Sequence, residues 1–234
     1  MKSIPIKDRL IVALDVDGNK EAKALVSKLG DSVSFYKLGL QLFMSSNYFD
    51  IIQQLQFMGK KVFADLKFFD VPQTVGLAVR ALAKHNVDFA TIHGNDEILR
   101  YGIKEKGNTK ILAVSALTSL DQSDINSLGF QCNVEDLVFS RSKRALEIGC
   151  DGVISSGLEV NKLRKNLGDK FLVVVPGIRP VENKLIDDQK RTVDVEEAFL
   201  NGADYIVVGR QIRDANNPYD AAMNFQERIA KIIT

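Results

Sequence analysis

The segment Asp65-Leu66-Lys67-Phe68-Phe69-Asp70-Val71-Pro72-Gln73-Thr74 holds the richest set of chemically capable side chains in the sequence. Asp65 and Lys67 stand two apart at the end of an apolar run, so on a strand their side chains share one face. An ammonium among carboxylates keeps its proton, because opposite charge favours the charged form. Such a lysine is a poor Schiff-base nucleophile and a usable general acid. A lone Asp-x-Lys is also what a structural ion pair looks like. Lys37, near the end of an earlier apolar run, adds a second ammonium, although alone it reads equally as a solvated lysine. The alternating set Lys37, Asp65, Lys67 and Asp70 is harder to explain as structure, since crowding that much charge costs desolvation. It suits a reaction in which a carboxylate departs or a carbanion forms. The aspartates destabilise a bound carboxylate, and an ammonium meets the developing negative charge.

These residues need strands to hold them. Short apolar runs rich in β-branched residues recur at 10–15, 34–38, 61–66, 89–93, 110–116, 152–155, 171–175 and 205–208. Most are continuous rather than alternating, as parallel strands buried on both faces are. Stretches with helical spacing separate them. Lys20–Leu29 puts Ala22, Leu25, Val26 and Leu29 on one stripe, and Pro72–His85 does so with Val75, Val79, Leu82 and Ala83. Pro72 suits a first helical turn, and 134–148 and 221–233 are similar. Strand and helix alternate eight times without a linker or a change of composition, which predicts one closed (β/α)8 barrel domain over residues 1–234. In such a barrel, catalytic groups sit at the C-terminal ends of the strands. Asp15, Lys37, Asp65 with Lys67 and Asp70, His93, Thr118 with Ser119, and Gly209 with Arg210 all end or follow an apolar run.

Barrels often bind phosphate in the loops after strands seven and eight. Here those are Pro176-Gly177-Ile178-Arg179 and Gly209-Arg210-Gln211-Ile212. The glycines permit close backbone approach to an anion, and Arg210 offers two N–H groups to its oxygens. Ordinary turn glycines with a surface arginine are the alternative. The polar stretch from Pro176 to Asp194 is long enough for a lid or binding loop, from which Gln189 could reach the phosphate; a merely disordered loop is the other reading.

Composition limits the partners. With 31 Lys and Arg against 30 Asp and Glu, bulk attraction to nucleic acid or to acidic membrane is not expected. No stretch approaches the roughly 18 apolar residues of a membrane helix, and the first nine residues carry no secretory apolar region. Cys132 and Cys150 lack CxxC spacing and fit a reducing cytosol, and two histidines do not make an HExxH site.

DLKFFDVPQT (65–74) resembles the D-x-K-x-x-D-[IV]-P-x-T signature of the orotidine 5'-phosphate decarboxylase family. The resemblance runs from LIVALDV to VVGRQI, with Asp15, Lys37 in YKLGLQLF, Pro176–Arg179, Asp188-Gln189-Lys190-Arg191 and Gly209-Arg210 in the family's order. It implies decarboxylation of orotidine 5'-phosphate to UMP and CO2, the last step of UMP synthesis, in the cytoplasm and without metal or organic cofactor. Lys67 would protonate C6 of the pyrimidine and Asp65 would face the departing carboxylate. Asp15 and Lys37 would bind ribose hydroxyls, Thr118 and Ser119 the base, with Pro176 beside it. Arg179 belongs to the substrate-binding set, and Gln189, Gly209 and Arg210 would hold the phosphate. Asp70 and Thr74 would reach into the partner's site of a homodimer. The sequence departs from the family pattern at Gly94-Asn95-Asp96, at Thr192-Val193-Asp194 and at Gln211, where many members carry Pro. His93 reads best as a buried strand-end histidine. Two alternatives stay open: a magnesium-dependent phosphosugar enzyme of the same suprafamily, which would need an acidic ligand where this chain has Lys37, and a catalytically dead barrel acting as a nucleotide sensor or scaffold.

Overall fold

A computed structural model describes residues 2–45, 47–179 and 191–233. Eight strands, β1 Leu10–Ala13, β2 Phe35–Gly39, β3 Lys61–Phe68, β4 Phe89–His93, β5 Lys110–Val114, β6 Gly152–Ile154, β7 Leu172–Val175 and β8 Tyr205–Val208, pair in parallel in sequence order and close β8 onto β1. The main helices are α1 Asn19–Leu29, α2 Leu40–Ser45, α3 Tyr48–Phe57, α4 Pro72–Ala83, α5 Asp96–Glu105, α6 Gln122–Ser127, α7 Val134–Ile148, α8 Val160–Leu167, α9 Val195–Leu200, α10 Arg210–Arg213 and α11 Pro218–Ile233. This is the (β/α)8 barrel that the alternation predicts.

The strands read as unbroken apolar runs because both faces are buried, but each face meets a different core. Outward residues such as Leu10, Val12, Val62, Ala64, Val173 and Val175 pack on the helical stripes, including all four expected residues of α1. Inward residues Ile11, Phe35, Phe63, Phe89, Leu112, Val174 and Tyr205 fill the barrel. Phe35, Phe63, Phe89 and Tyr205 form one ring cluster, with centroids 5.0 Å apart for Phe35–Phe89 and 5.1 Å for Phe89–Tyr205. That plug floors the C-terminal mouth, so the next inward residue on each strand (two positions on) is lifted into it. The N-terminal mouth is held differently. Asp204 accepts from Lys2, from Arg164 at 2.7 Å and from the Val173 amide, while buried Arg9 donates to its carbonyl.

Two details differ from expectation. On α4, Ala83 is only half-buried, and Gly76 takes a place in the buried stripe, since a Cβ there would stand 3.3 Å from the Tyr101 carbonyl of α5. β3 runs past Leu66 to Phe68, with its register against β4 shifted between Ala64 and Phe68. β3 advances four residues there while β4 advances two, so two extra residues interrupt the ladder between Ala64 and Phe68.

Candidate active site

The C-terminal mouth opens into a cavity of about 610 Å³, walled by Ala13, Phe63, Val114, Ile154 and Val207 from the inner layer. Asp15, Lys37, Asp65, Lys67, Thr118, Ser119, Pro176, Gly177, Arg179, Gly209 and Arg210 also line it. Every site residue expected from the sequence is there except Asp70, Thr74 and Gln189. Gln189 lies outside the described residues. Asp70 and Thr74 are exposed, in the turn after β3 and the first turn of α4, and the Asp70 carboxylate accepts from the Val71 amide. Within the described residues of one chain, the fourth member of the array is therefore Asp15, because the chain leaves the strand at Phe68 and carries Asp70 off the mouth.

Alternation places Lys37 two residues above Phe35 and Asp65 two above Phe63. The Lys37 ammonium lies 3.1 Å from Asp15 and 3.6 Å from Asp65, and Lys67 donates to Asp65 Oδ2 at 2.9 Å. Lys37 and Asp65 are the buried pair, with side chains 12% and 11% exposed, whereas Lys67 at 34% faces the cavity. Burial alone would lower the Lys37 ammonium, but Asp65 and Asp15 outweigh it and hold it above its ordinary value. Burial would likewise raise Asp65, yet Lys37 and Lys67 hold it below the usual carboxylate range. Both groups stay charged across neutral pH.

Lys67 reaches Asp65 by a route that simple alternation does not describe. Its φ is +48°, in the left-handed region that side chains avoid, at a cost on the order of 1 kcal/mol. The bulge turns its amide toward β4 and its side chain back over Asp65.

On the opposite wall, Gly177 has φ +74°, a backbone that glycine adopts without penalty. Gly209 does not share it; a Cβ there would sit 3.6 Å from Ala13, in ordinary contact, so what that glycine leaves is space. Gln211 donates from Nε2 to the Ile178 carbonyl at 2.6 Å and ties these two loops together. The ends of the long loop are pinned: Arg179 N–H donates to Val193 O at 2.9 Å, and Arg191 pairs with Glu159 and donates to the Leu117 carbonyl beside Thr118. His93 is half-buried against Phe69, with its ring lowered in basicity first by burial and then by Arg141 and Lys67.

Sequence reasoning missed Gln41 and Arg213 on the cavity wall. Gln41, the second residue of α2, donates to Asp17 at 2.7 Å; Arg213, three residues after Arg210 and so on the same helical face, donates to the Asp15 carbonyl at 2.6 Å. That spacing was the available signal. Among the described residues, no three His, Cys, Asp or Glu side chains cluster as a metal site.

Residues 8–225 match the family model described as "Orotidine 5'-phosphate decarboxylase / HUMPS family". The chain belongs to this family. A relative from Methylococcus capsulatus, named orotidine 5'-phosphate decarboxylase, is 59% identical over 99% of this chain and 96% of its own. One of the same name from Xanthomonas euvesicatoria is 46% identical over 95% and 92%. The crystal structure of orotidine 5'-phosphate decarboxylase from Lactobacillus acidophilus superposes with a TM-score of 0.84 at 35% identity, covering 95% of this chain and 99% of that one. The two chains thus share one barrel frame.

Proposed function

We propose that Lys37, Asp65 and Lys67, with Asp70 supplied by a partner subunit, carry the chemistry of orotidine 5'-phosphate decarboxylation. The enzyme converts orotidine 5'-phosphate to UMP and CO2 in pyrimidine biosynthesis. The C6–carboxylate bond breaks, CO2 leaves, and the electron pair remains in the ring plane on C6, where the base cannot delocalise it. Stabilisation then has to be electrostatic, from a charge already in place. The observation that carries the reading is the Lys67 ammonium, 2.9 Å from buried Asp65 and open to the cavity. Asp65 would crowd the substrate carboxylate, and Lys67 would protonate C6 and recover its proton from solvent.

Asp15 and Lys37 would hold the ribose hydroxyls, Thr118 and Ser119 the base, and Pro176 its edge. Gln189, Gly209 and Arg210 would grip the phosphate, with Arg179 on the same wall, and their binding energy would press the reacting end against Asp65. The reading needs no cofactor. Asp70 and Thr74 would enter the neighbouring site of a homodimer. Phe69, Val71 and Leu77, exposed by 65%, 62% and 51% around them, support an apolar interface there. We place the enzyme in the cytoplasm, as one barrel domain; no helix among the described residues is long and apolar enough to cross a membrane.

The deciding measurement is loss of orotidylate absorbance with purified enzyme in chelator. Full turnover is expected with wild type, and a fall of about 10³-fold or more in kcat for Lys67→Ala. Activity abolished by the chelator would favour the magnesium-dependent phosphosugar reading; undiminished Lys67→Ala would end the present one.

A further inference from the structure

Thr91 is fully buried at the third position of β4, in the same inward layer as Asp65, because Phe63 pairs with Phe89 and the residues two further on rise together. Its hydroxyl has two partners. It accepts from the Lys67 backbone N–H at 2.9 Å and donates to Asp65 Oδ1 at 2.9 Å. The direction is fixed, since an amide can only donate and an ionised carboxylate can only accept. The hydroxyl's single proton goes to Asp65 and one of its lone pairs to the Lys67 amide. The other carboxylate oxygen, Oδ2, is then left to the two ammoniums of Lys67 and Lys37.

We infer that Thr91 is a positioning residue for decarboxylation, setting the left-handed backbone of Lys67 and the rotation of the Asp65 carboxylate through one hydroxyl. This rests on the assignment of Lys67 and Asp65 given above. The bulged Lys67 peptide has left the ladder, and its part-buried N–H takes a side chain, Thr91 Oγ1, as its partner. Without Thr91 Oγ1 the unfavourable φ loses that support, and the ammonium above it shifts. Asp65 loses the contact that distinguishes its two oxygens, and with it one of the groups that keep it ionised. Thr91 itself is 0% exposed, so no solvent lies beside it to take over the buried bond to Asp65.

Steady-state kinetics on orotidylate with Thr91→Val, Thr91→Ala and Thr91→Ser test this. Valine keeps the volume and the branching but removes the oxygen. It should lower kcat about 10²-fold, the scale of an ångström-sized misplacement, with KM little changed and the acid limb of the kcat profile moved to higher pH. Alanine should behave alike, and serine should restore kcat to within a few-fold. Should the valine protein not fold, the serine and alanine proteins, which differ by a single oxygen, carry the comparison. Full turnover in Thr91→Val or Thr91→Ala beside an inactive Lys67→Ala would overturn the inference alone, as would a serine protein as poor as the alanine one. Full turnover in Lys67→Ala would remove the reading beneath it, and the inference with it.

Discussion

Two ammoniums and two carboxylates share the cavity, but they are not equivalent. Lys37 and Asp65 are buried and electrostatically locked, while Lys67 and Asp15 are the more exposed ends that a ligand meets. The lock has a pH signature. Asp65 is held below its ordinary value of 3.8, so its contribution to stability is complete above that pH and is lost as pH falls through the folded value. Lys37 is held above 10.5, so its contribution is complete below that pH and is lost as pH rises through the folded value. The difference in urea midpoint between wild type and Asp65→Asn should accordingly be flat from neutrality down to about pH 3.8 and shrink below it. A difference that already declines near neutral pH would mean that Asp65 is not held ionised by its lysines.

At the level of elements, the wall proposed to hold the phosphate is two loops and a short helix rather than one motif. Gln211, the first residue inside α10 after Arg210, bonds the Ile178 carbonyl between Gly177 and Arg179. A proline at this position would have no side-chain donor for that bond. Replacing Gln211 with Ala should raise KM for orotidylate about tenfold, the worth of one hydrogen bond, while kcat holds. Arg210→Ala should cost nearer 10²-fold, since a charged donor is lost. The control is orotidine, which lacks the phosphate: its kcat/KM should be unchanged in both variants. An equal loss on orotidine would show that the loops shape the base pocket instead.

For the molecule as a whole, the two mouths of the barrel divide the labour. The Asp204 network ties the N-terminal end together, and the reactive charge collects at the other. Asp70 and Thr74 sit outside that division, exposed among Phe69, Val71 and Leu77. If they serve a partner's cavity, inactive Lys67→Ala and Asp70→Ala proteins should complement when unfolded and refolded together, because each mixed dimer regains one intact site. Activity rising well above either parent is the expected result. No recovery, with a monomer by sedimentation, would refute the dimer.

Sequence alone was enough for the barrel and for most of the lining of its mouth, because a strand buried on both faces reads as an apolar run and the polar residue ending it has nowhere to go but the mouth. Val134–Ile148 and Tyr205–Val208 match their expected bounds for the same reason: periodicity is a local property. Thr91 was invisible in its run, since a threonine is an ordinary strand residue until register sets it beside Asp65. The left-handed Lys67, the Arg213 bond to the Asp15 carbonyl and the Gln211 bond to Ile178 were equally beyond pattern. Each depends on which backbone group a neighbouring strand or loop presents, and only closure of the sheet brings those groups within reach.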